Sequence, residues 1–367
     1  MTSNRKSQVA CLAIGQGGYN GMLAMLDYEW TKAENCFYVN YASDLESAHL
    51  IPKENHIPLD FSSSQHKSGA GKKRTVAKAD ATANVSDIIA TLKAKLDPKT
   101  QRLYVFMSSG GGSGSGAGPV ISMMLTAKLD IPVEVILYKP SPITQSVEEW
   151  QNYSECLKEM SALVSGKAIR LYIADLGSID AKDKDEAAIA VDKFVADLLY
   201  RYEEVECLSS KSNLDFADRD TLASTAQMRA LIKLNERGEP SSPFVLPKGQ
   251  RVARLGYEVP MGLDPYVEKA IKSLGVSVND SSYRGLYTDT SDADPVIGLF
   301  GYTVPASLIS EANDMVTEAQ RKAEAVNKTD TVKASGLFDN VAEHRANITA
   351  ATSVADHSDD QLFNMIG

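Results

Sequence analysis

The chain has 367 residues, 43% of them hydrophobic and 23% charged, so it can bury the cores of two packed domains and is not disordered throughout. Its formal net charge of −10 disfavours wholesale binding to nucleic-acid phosphates or anionic membranes. Four scattered cysteines without a CxxC pair, no apolar signal stretch and no apolar run of roughly 20 residues predict a cytoplasmic protein without a membrane segment.

The first half of the chain alternates strand-like and helix-like segments. Strands are predicted over Val9–Ile14, Cys36–Asn40, Ile57–Phe61, Leu103–Met107, Ile131–Tyr138 and Ile169–Ala174. Helices are predicted over Tyr19–Trp30, Asn84–Leu96, Pro119–Lys128 and Val147–Leu163. This alternation predicts an α/β fold with a Rossmann-like parallel sheet, in which ligands bind at the carboxyl ends of the strands.

The second half begins with a predicted long helix over Asp183–Cys207, roughly 37 Å in length, which can separate two domains. The polar segment Ser209–Asp220 is predicted to be a turn. Further helices are predicted over Thr221–Leu234, Asp264–Leu274 and Ala306–Ala325, and strands over Val252–Val259 and Val296–Thr303. These elements predict a second, smaller α/β unit.

The strongest functional signal is the run Ser109–Gly116, S-G-G-G-S-G-S-G, directly after an apolar strand. Glycines lose more backbone entropy than other residues, but without Cβ atoms their N–H groups can surround an anion. A following helix adds its positive N-terminal end, and Ser113 and Ser115 add hydroxyl donors. The run predicts a phosphate-binding loop. The alternative, a flexible Gly/Ser linker, fits poorly between two buried-type elements.

Two other nucleotide-binding motifs fit badly. In the nearest match to the P-loop GxxxxGK[ST], His66 replaces the first glycine and Lys73 the hydroxyl residue. The dinucleotide fingerprint GxGxxG can be forced onto Gly15–Asn20 only with Asn20 in place of the third glycine. A dinucleotide-dependent oxidoreductase is therefore an alternative that leaves Ser109–Gly116 unexplained.

The run Gly110–Gly116 resembles the tubulin signature GGGTGSG, and its continuation Ala117–Pro119 is similar to the FtsZ form GGGTGTGAAP. Far along the chain, Asn213–Asp218, N-L-D-F-A-D, resembles the synergy-loop motif NxDFAD that follows the long central helix of FtsZ. The chain thus resembles the tubulin/FtsZ superfamily over roughly residues 8–325. Its short first loop and single long helix before residue 207 place the resemblance nearest the phage and plasmid tubulins, PhuZ-like or TubZ-like.

The resemblance implies GTP or GDP as the ligand, with Mg²⁺ held by phosphates and water rather than by a protein cage. The implied GTP-binding residues are Gly15, Gln16, Gly17, Gly18, Asn20, Gly69, Ala70, Gly71, Ser109, Gly110, Gly111, Gly112, Ser113, Gly114, Ser115, Gly116, Asp175, Asp183 and Asn213. For guanine, a carboxylate of Asp175, Asp183 or Asp185 could accept from N1–H and N2–H₂, although each also fits a solvated aspartate. Ser141–Glu149 is the candidate ribose loop, and Asp44 is a further candidate.

The resemblance also implies a hydrolytic site shared between head-to-tail subunits of a filament. Asp215 and Asp218 are three residues apart and face the same side of a turn, so both are assigned as catalytic residues that orient the attacking water. The alternative for Asp218 is a helix N-cap. For Asp220, capping of a helix from Thr221 is the preferred interpretation.

The implied regions are a GTP-binding domain over 1–182, a central helix over 183–207, a synergy loop and second domain over 208–326, and a C-terminal helix or tail over 327–367. In the tail, Asp359, Asp360, Leu362 and Phe363 predict a short partner-binding motif, with an unstructured terminus as the alternative. The basic triplet Lys72–Arg74 either counters phosphate charge, contacts a neighbouring subunit or is a solvated loop.

The implied activity is that of an assembly-activated GTPase that positions phage or plasmid DNA or particles in a bacterial host. Its partner would be a second copy of the chain, with no direct nucleic-acid binding. Two alternatives stay open: a GTP-dependent regulator that does not polymerise, and an FtsZ-type cell-division protein.

Overall fold

The computed structural model describes residues 9–60, 70–143, 146–204, 210–212, 216–287 and 295–325. The chain divides into two compact units, residues 1–316 and residues 317–367. Of the second unit, residues 317–325 are described, and they are helical. The domain boundaries at 182, 207 and 326 stay a prediction. No described helix is both long enough and apolar enough to cross a membrane.

The described strands form one twelve-stranded sheet. The strands are β1 (Val9–Ile14), β2 (Cys36–Asn40), β3 (His56–Pro58), β4 (Arg102–Ser108), β5 (Val133–Lys139), β6 (Arg170–Asp175), β7 (Ser210–Ser212), β8 (Gln227–Leu234), β9 (Pro240–Ser241), β10 (Arg251–Pro260), β11 (Ser277–Tyr287) and β12 (Val296–Tyr302). Their order is β3-β2-β1-β4-β5-β6-β8-β12-β10-β11-β7, and β9 pairs with β8. From β3 to β8 every pairing along this order is parallel, which confirms the predicted α/β fold.

The described helices are α1 (Gly15–Asp27), α2 (Ala42–Leu45), α3 (Arg74–Lys95), α4 (Gly112–Lys128), α5 (Val147–Ser165), α6 (Lys184–Glu204), α7 (Phe216–Ser224), α8 (Asp264–Ser273) and α9 (306–325). Every residue of β1, β2 and β5 is buried, as expected for parallel strands covered on both faces. Helix α1 packs on β4 and α6, while α4 packs on α3 and α5. The core therefore lies on both sides of the parallel strands.

The predicted helix over Thr221–Leu234 is wrong. The structure has α7 over Phe216–Ser224, followed by β8 over Gln227–Leu234. Six of the eight residues of β8 are buried because the strand lies inside the sheet. A strand buried on both faces is a continuous apolar run, which periodicity alone cannot distinguish from a helix. The earlier start of α7 places Asp220 inside the helix, so its predicted role as N-cap is also wrong.

Three helices begin earlier than predicted. Helix α1 begins at Gly15 rather than Tyr19, α3 at Arg74 rather than Asn84, and α4 at Gly112 rather than Pro119. Glycine has a low helix propensity, so the sequence predicts loops at the glycine-rich segments that form the first turns of α1 and α4. The structure accommodates them because those glycines let the helices pack closely on neighbouring backbone.

The long central helix connects opposite edges of the sheet. Helix α6 follows β6 at the carboxyl edge of the parallel strands, and its 21 residues extend about 31 Å. Strand β8 then starts at the amino edge, where Gln227 pairs with Arg170, the first residue of β6. Helix α7 lies between α6 and β8 in the chain. It therefore lies at the amino edge, opposite the glycine-rich turns.

Candidate functional site

Three helices begin at the carboxyl edge of the parallel strands without a side-chain cap. None of the N-cap residues of α1, α3 and α4 (Ile14, Lys73 and Gly111) makes a capping hydrogen bond, and none of these helices has an acidic residue in its first turn. The first four N–H groups of an α-helix have no acceptor within the helix. These helices therefore present positively polarised N–H groups to an external acceptor.

The two helices that follow on the same edge differ. Ser146 caps α5 by accepting from the Glu149 N–H, and acidic residues occupy the first turn of that helix. Asp183 caps α6, where its Oδ1 accepts at 2.9 Å from the N–H groups of both Asp185 and Glu186. The short helix α2 also lacks a side-chain cap, but Asp44 lies in its first turn. Of the helices α1 to α6, only α1, α3 and α4 thus have neither a side-chain cap nor an acidic first turn.

Close glycine contacts bring the three uncapped ends together. Gly15, which has a φ of +73°, comes so near α4 that a Cβ there would lie 2.9 Å from the Gly114 nitrogen. A Cβ on Gly112 would lie 2.9 Å from the Cβ of Ala70 and 3.0 Å from the carbonyl carbon of Lys72, just before α3. The predicted phosphate-binding segments at 15–20, 70–71 and 109–116 therefore share one place in the fold.

Most glycines of these segments are required for packing. A Cβ on Gly18 would overlap the Phe106 carbonyl oxygen of β4, and one on Gly114 would overlap the Ser108 carbonyl oxygen. A Cβ on Gly116 would overlap the Arg74 carbonyl oxygen, so α4 could not lie against α3. The entropy that these glycines lose on folding is offset by the close approach of α1 and α4 to their neighbours.

Gly111 has no such packing role. A Cβ there would meet no atom within 4 Å, and the backbone, at φ −79° and ψ 168°, suits any residue. The residue is half-buried at the N-cap of α4. Gly71 also faces open space, although its φ of +54° favours glycine. Open space at Gly111 and Gly71 leaves room for a ligand beside the three helix ends.

The three serines of the glycine run have different surroundings. Ser109 is fully buried, and its hydroxyl donates to the Tyr138 carbonyl oxygen of β5 at 2.5 Å. The Ser115 hydroxyl, also buried, donates to the Gly111 carbonyl oxygen. Ser113 is half-buried at the start of α4. Ser109 and Ser115 therefore hold the loop in shape, and Ser113 is the serine placed to reach a ligand.

Asn152 of α5 joins two of the segments. Its Nδ2 donates to the carbonyl oxygens of Lys72 at 2.8 Å and Gly110 at 3.0 Å. Nearby, Lys72 Nζ lies 2.8 Å from Glu149 Oε1. Asn152 is not among the residues predicted from the sequence. The sequence feature that could have revealed it is an amide side chain on the face of α5 that is otherwise mostly apolar.

Arg74 connects α3, α4 and α5. Its guanidinium is 7% exposed, donates to the Ser115 carbonyl oxygen at 3.1 Å and pairs with Glu155 and Glu159 at 3.2 and 3.0 Å. Burial opposes its charge, but the hydrogen bond and charge of Glu159 outweigh that effect and raise the pKa of Arg74. Of the basic triplet, Arg74 is therefore a structural link, while Lys72 and Lys73 are exposed.

The first turns of α1 carry a polar chain beside β2. Gln16 Nε2 donates to Asn20 Oδ1 at 2.9 Å, and the Tyr38 hydroxyl donates to Gln16 Oε1 at 3.3 Å. Asn40, buried at the end of β2, donates to the Tyr38 hydroxyl at 2.7 Å. Gln16 and Asn20 are exposed, so their outer polar atoms can meet a ligand at the end of α1.

Of the carboxylates predicted to contact guanine, Asp183 caps α6 as described above. Asp175 ends β6, where its Oδ2 lies 2.9 Å from Lys139 Nζ and its Oδ1 accepts from the Gly177 N–H at 2.9 Å. Lys139 also pairs with Glu311 of α9 at 2.6 Å. Burial opposes the charge of Lys139, but Asp175 and Glu311 outweigh it and raise the lysine pKa.

Asp218 lies in the first turn of α7, away from the glycine segments. Asp215, Asn213, Gly69 and the tail residues from 326 onward lie outside the described residues. Within the described ranges, no three His, Cys, Asp or Glu side chains are grouped so that they could hold a metal ion. The structure thus brings the predicted glycine segments together and places Asp218 at the other edge of the sheet.

Residues 8–166 match the family model of the tubulin/FtsZ family GTPase domain. Over 133 residues the chain is 30% identical to the tubulin-like protein CetZ5 of Haloferax volcanii, a match that covers 34% of this chain and only 33% of that relative. The fold is similar to that of Clostridium botulinum phage c-st TubZ with its C-terminal tail truncated, with a TM-score of 0.68 and 17% identity over 87% of this chain and all of that one. It is also similar to a GTPγS-form protofilament of Bacillus thuringiensis serovar israelensis TubZ, with a TM-score of 0.65 and 14% identity over 88% and 96% of the two chains.

Proposed function

We propose that the chain, whose residues 8–166 match the GTPase domain of the tubulin/FtsZ family, binds GTP and hydrolyses it at a site completed by a second copy. One observation supports the shared site above others. The uncapped ends of α1, α3 and α4 lie at the carboxyl edge of the parallel strands, whereas α7 and Asp218 lie at the amino edge. Because α6 extends about 31 Å between these edges, the two halves of the site cannot meet within one copy.

The triphosphate would bind where the three helix ends converge. Backbone N–H groups at the starts of α1 and α4 donate to phosphate oxygens, and the helix dipoles favour the negative charge. Gly111 and Gly71 leave the space, and Ser113 adds a hydroxyl donor. Lys72, whose ammonium is paired with Glu149, and Lys73 are exposed beside the same segment, and both would offset phosphate charge.

The base would lie toward β6 and the start of α6, where Asp175 and Asp183 were predicted to contact guanine. Both carboxylates already accept hydrogen bonds in the structure, so guanine would share them or replace a partner such as Lys139. Mg²⁺ prefers oxygen ligands and retains water, so phosphate oxygens would supply most of its ligands.

Hydrolysis would occur between two copies. The glycine segments of one copy hold the triphosphate, and the first turn of α7 from the next copy brings Asp218, with Asp215 before it in the chain. A carboxylate there orients the attacking water and accepts its proton. A contact between two different faces of identical subunits repeats head-to-tail, and it produces a filament when the rotation between copies does not close a ring.

The proposed role is a cytoplasmic filament that positions phage or plasmid DNA or particles in a bacterial host. The support is the similarity of the fold to phage c-st TubZ and to a TubZ protofilament. The regions proposed for this role are the GTP-binding domain over 1–182, the central helix over 183–207, the second domain over 208–326 and the tail from 327. Asp359, Asp360, Leu362 and Phe363 of the tail are the proposed contact with a neighbour or an adaptor.

The test is GTP turnover against protein concentration, followed together with light scattering. We expect turnover per chain to rise steeply where scattering appears and to reach a plateau once the chain is assembled. Constant turnover per chain across that range would contradict a site shared between copies. Sedimentation with GTPγS separates filaments from a GTP-binding regulator that does not assemble, since such a regulator stays in the supernatant.

A further inference from the structure

Three arginines enclose the C-terminal turn of α7. Arg229 donates through Nη2 to the carbonyl oxygens of Leu222, Ala223 and Thr225, each at 2.9 Å. Arg254 of β10 donates to the Thr221 carbonyl oxygen at 2.8 Å, and Arg170 of β6 donates to that of Ser224 at 3.3 Å. The last carbonyls of a helix lack partners within it, and positive charge at this end is favourable. The collar of Arg170, Arg229 and Arg254 therefore satisfies the whole end of α7.

Arg229 is the centre of this collar. Its side chain is 1% exposed, and its Nη1 lies 2.6 Å from Oε1 of Glu134, which is fully buried on β5. The guanidinium also lies over the rings of Phe300 and Tyr172, 5.0 and 5.8 Å from their centroids. Arg229 thus connects a strand of the parallel sheet to the end of a helix through charge, hydrogen bonds and stacking.

A fully buried ion pair is a poor way to gain stability, because desolvation of both charges opposes their attraction. Apolar side chains of similar volume would pack here at less cost. The pair instead fixes an orientation, because a planar guanidinium holds the carbonyl oxygens that it binds in a set geometry. Helix α7 has only nine residues, so fixing its last turn also fixes its first turn.

We propose that Arg229 is a positioning residue for hydrolysis, holding α7 so that its first turn is presented to the nucleotide of the next copy. The inference rests on the proposed shared site. Arg229 itself touches neither nucleotide nor water in this scheme. It acts through Asp218, at the opposite end of the same helix, and Glu134 aligns Arg229 from the sheet.

Two variants separate positioning from folding. Glu134→Gln combined with Arg229→Met removes the two fully buried charges together, and Arg102, which lies 3.5 Å from Glu134, keeps partial contact with solvent, so we expect the fold to be retained. Arg229→Lys keeps a positive charge beside Glu134 but loses the planar fork that reaches several carbonyls. The matched control is Asp264→Asn with Arg284→Met, which removes an arginine–aspartate pair between α8 and β11.

In full-length protein we expect both Arg229 variants to bind GTP within two-fold of wild type below the assembly concentration. Their GTP turnover per assembled chain should fall at least ten-fold, and amide hydrogen exchange over residues 216–224 should accelerate at least ten-fold. The control should change neither. Wild-type turnover with wild-type exchange in the Glu134→Gln/Arg229→Met variant would overturn the proposal.

Hydrogen exchange keeps this test separate from the proposed function. If the wild type does not hydrolyse GTP, the shared site fails, and the exchange of α7 still decides whether Arg229 holds that helix. Faster exchange confined to residues 216–224 supports the positioning role. Faster exchange across the whole chain, including α1 and α4, would instead show general destabilisation and would overturn it.

Discussion

Glu134 Oε1 lies 2.6 Å from Arg229 Nη1, and both side chains are shielded from solvent between β5 and β8. Burial alone would raise the pKa of the Glu134 carboxyl, but Arg229 and Arg102 outweigh it and hold that pKa below its usual range. Burial likewise opposes the charge of Arg229, and Glu134 raises its pKa. Both groups are therefore charged at neutral pH, and each depends on the other.

Glu134→Gln should lower the free energy of unfolding by about 3–5 kcal/mol, because it leaves the buried charge of Arg229 without its partner. The matched surface change is Glu268→Gln, whose partner Lys272 is equally exposed to solvent. An exposed helix pair contributes little to stability because solvent screens it, so this change should be barely detectable. Denaturant unfolding of both variants checks the difference, and equal losses would contradict the account of the buried pair.

Gly111→Ala should weaken GTP binding about ten-fold while changing stability by less than about 1 kcal/mol. The added methyl group meets no protein atom, so any loss of affinity comes from the space that the phosphates would occupy. Gly262→Ala is the control, since its Cβ also meets nothing within 4 Å, far along the chain in the turn before α8. Nucleotide titration and thermal unfolding measure both effects. Unchanged affinity in Gly111→Ala would place the phosphates elsewhere.

Asn152→Ala should reduce GTP affinity about ten-fold, because the Lys72 and Gly110 carbonyls lose the amide that holds them together. Asn84→Ala removes a similar amide that donates to the Asp60 and Asp80 carbonyls at 2.8 Å each. Asn152→Ala should lose about 1–3 kcal/mol of stability and the less buried Asn84→Ala should lose no more than that, but only Asn152→Ala should lose affinity. Equal affinities would mean that Asn152 supports the fold without shaping the binding site.

Asp192 should make the protein less stable as the pH rises. Burial on α6, opposed only in part by the Tyr138 hydroxyl, raises the pKa of its carboxyl from 3.8 to about 7. Between these values the folded state holds a proton that the unfolded state has lost, so the free energy of unfolding falls with rising pH and levels off above about pH 7.

Asp192→Asn removes this ionisable carboxyl, so the variant binds no proton at this position in either state. Relative to wild type, the variant should therefore gain about 3 kcal/mol of stability between pH 5 and pH 8. Denaturant unfolding of both proteins at the two pH values measures this difference, in which other titrating groups cancel. A constant difference between the two proteins would show that Asp192 is charged in the fold at both pH values.

The parallel strands and the glycine segments could be predicted from the sequence, because a short apolar run that ends in glycine is typical of a buried strand followed by a tight turn. The sequence did not predict β8, since Arg229 and its apolar neighbours suit a buried helix as well as a buried strand. It also missed that Gly15–Gly18 and Gly112–Gly116 are helical, because glycine propensity opposes helix and only close packing on β4 and α3 explains it.

The side chains that connect the segments around the site could not be predicted from the sequence. Asn152, Arg74 and Lys139 act through partners that are distant in the chain, and each pairing depends on the three-dimensional arrangement of α3, α5 and β5. Propensity and periodicity describe only local preferences. The different roles of the three serines are also clear only from the fold, in which the hydroxyls of Ser109 and Ser115 donate to backbone carbonyls.

The most direct test of the shared site is a mixture of two inactive variants. Gly111→Asp places a carboxylate at the N-cap of α4, where it caps the helix and repels phosphate, and Asp215→Asn with Asp218→Asn removes the acids of the second face. Each alone should hydrolyse little GTP. Mixed in equal amounts, they should recover up to about a quarter of wild-type turnover, because about one contact in four joins two intact faces. Turnover no greater than the sum of the separate variants would contradict a site completed by a neighbouring copy.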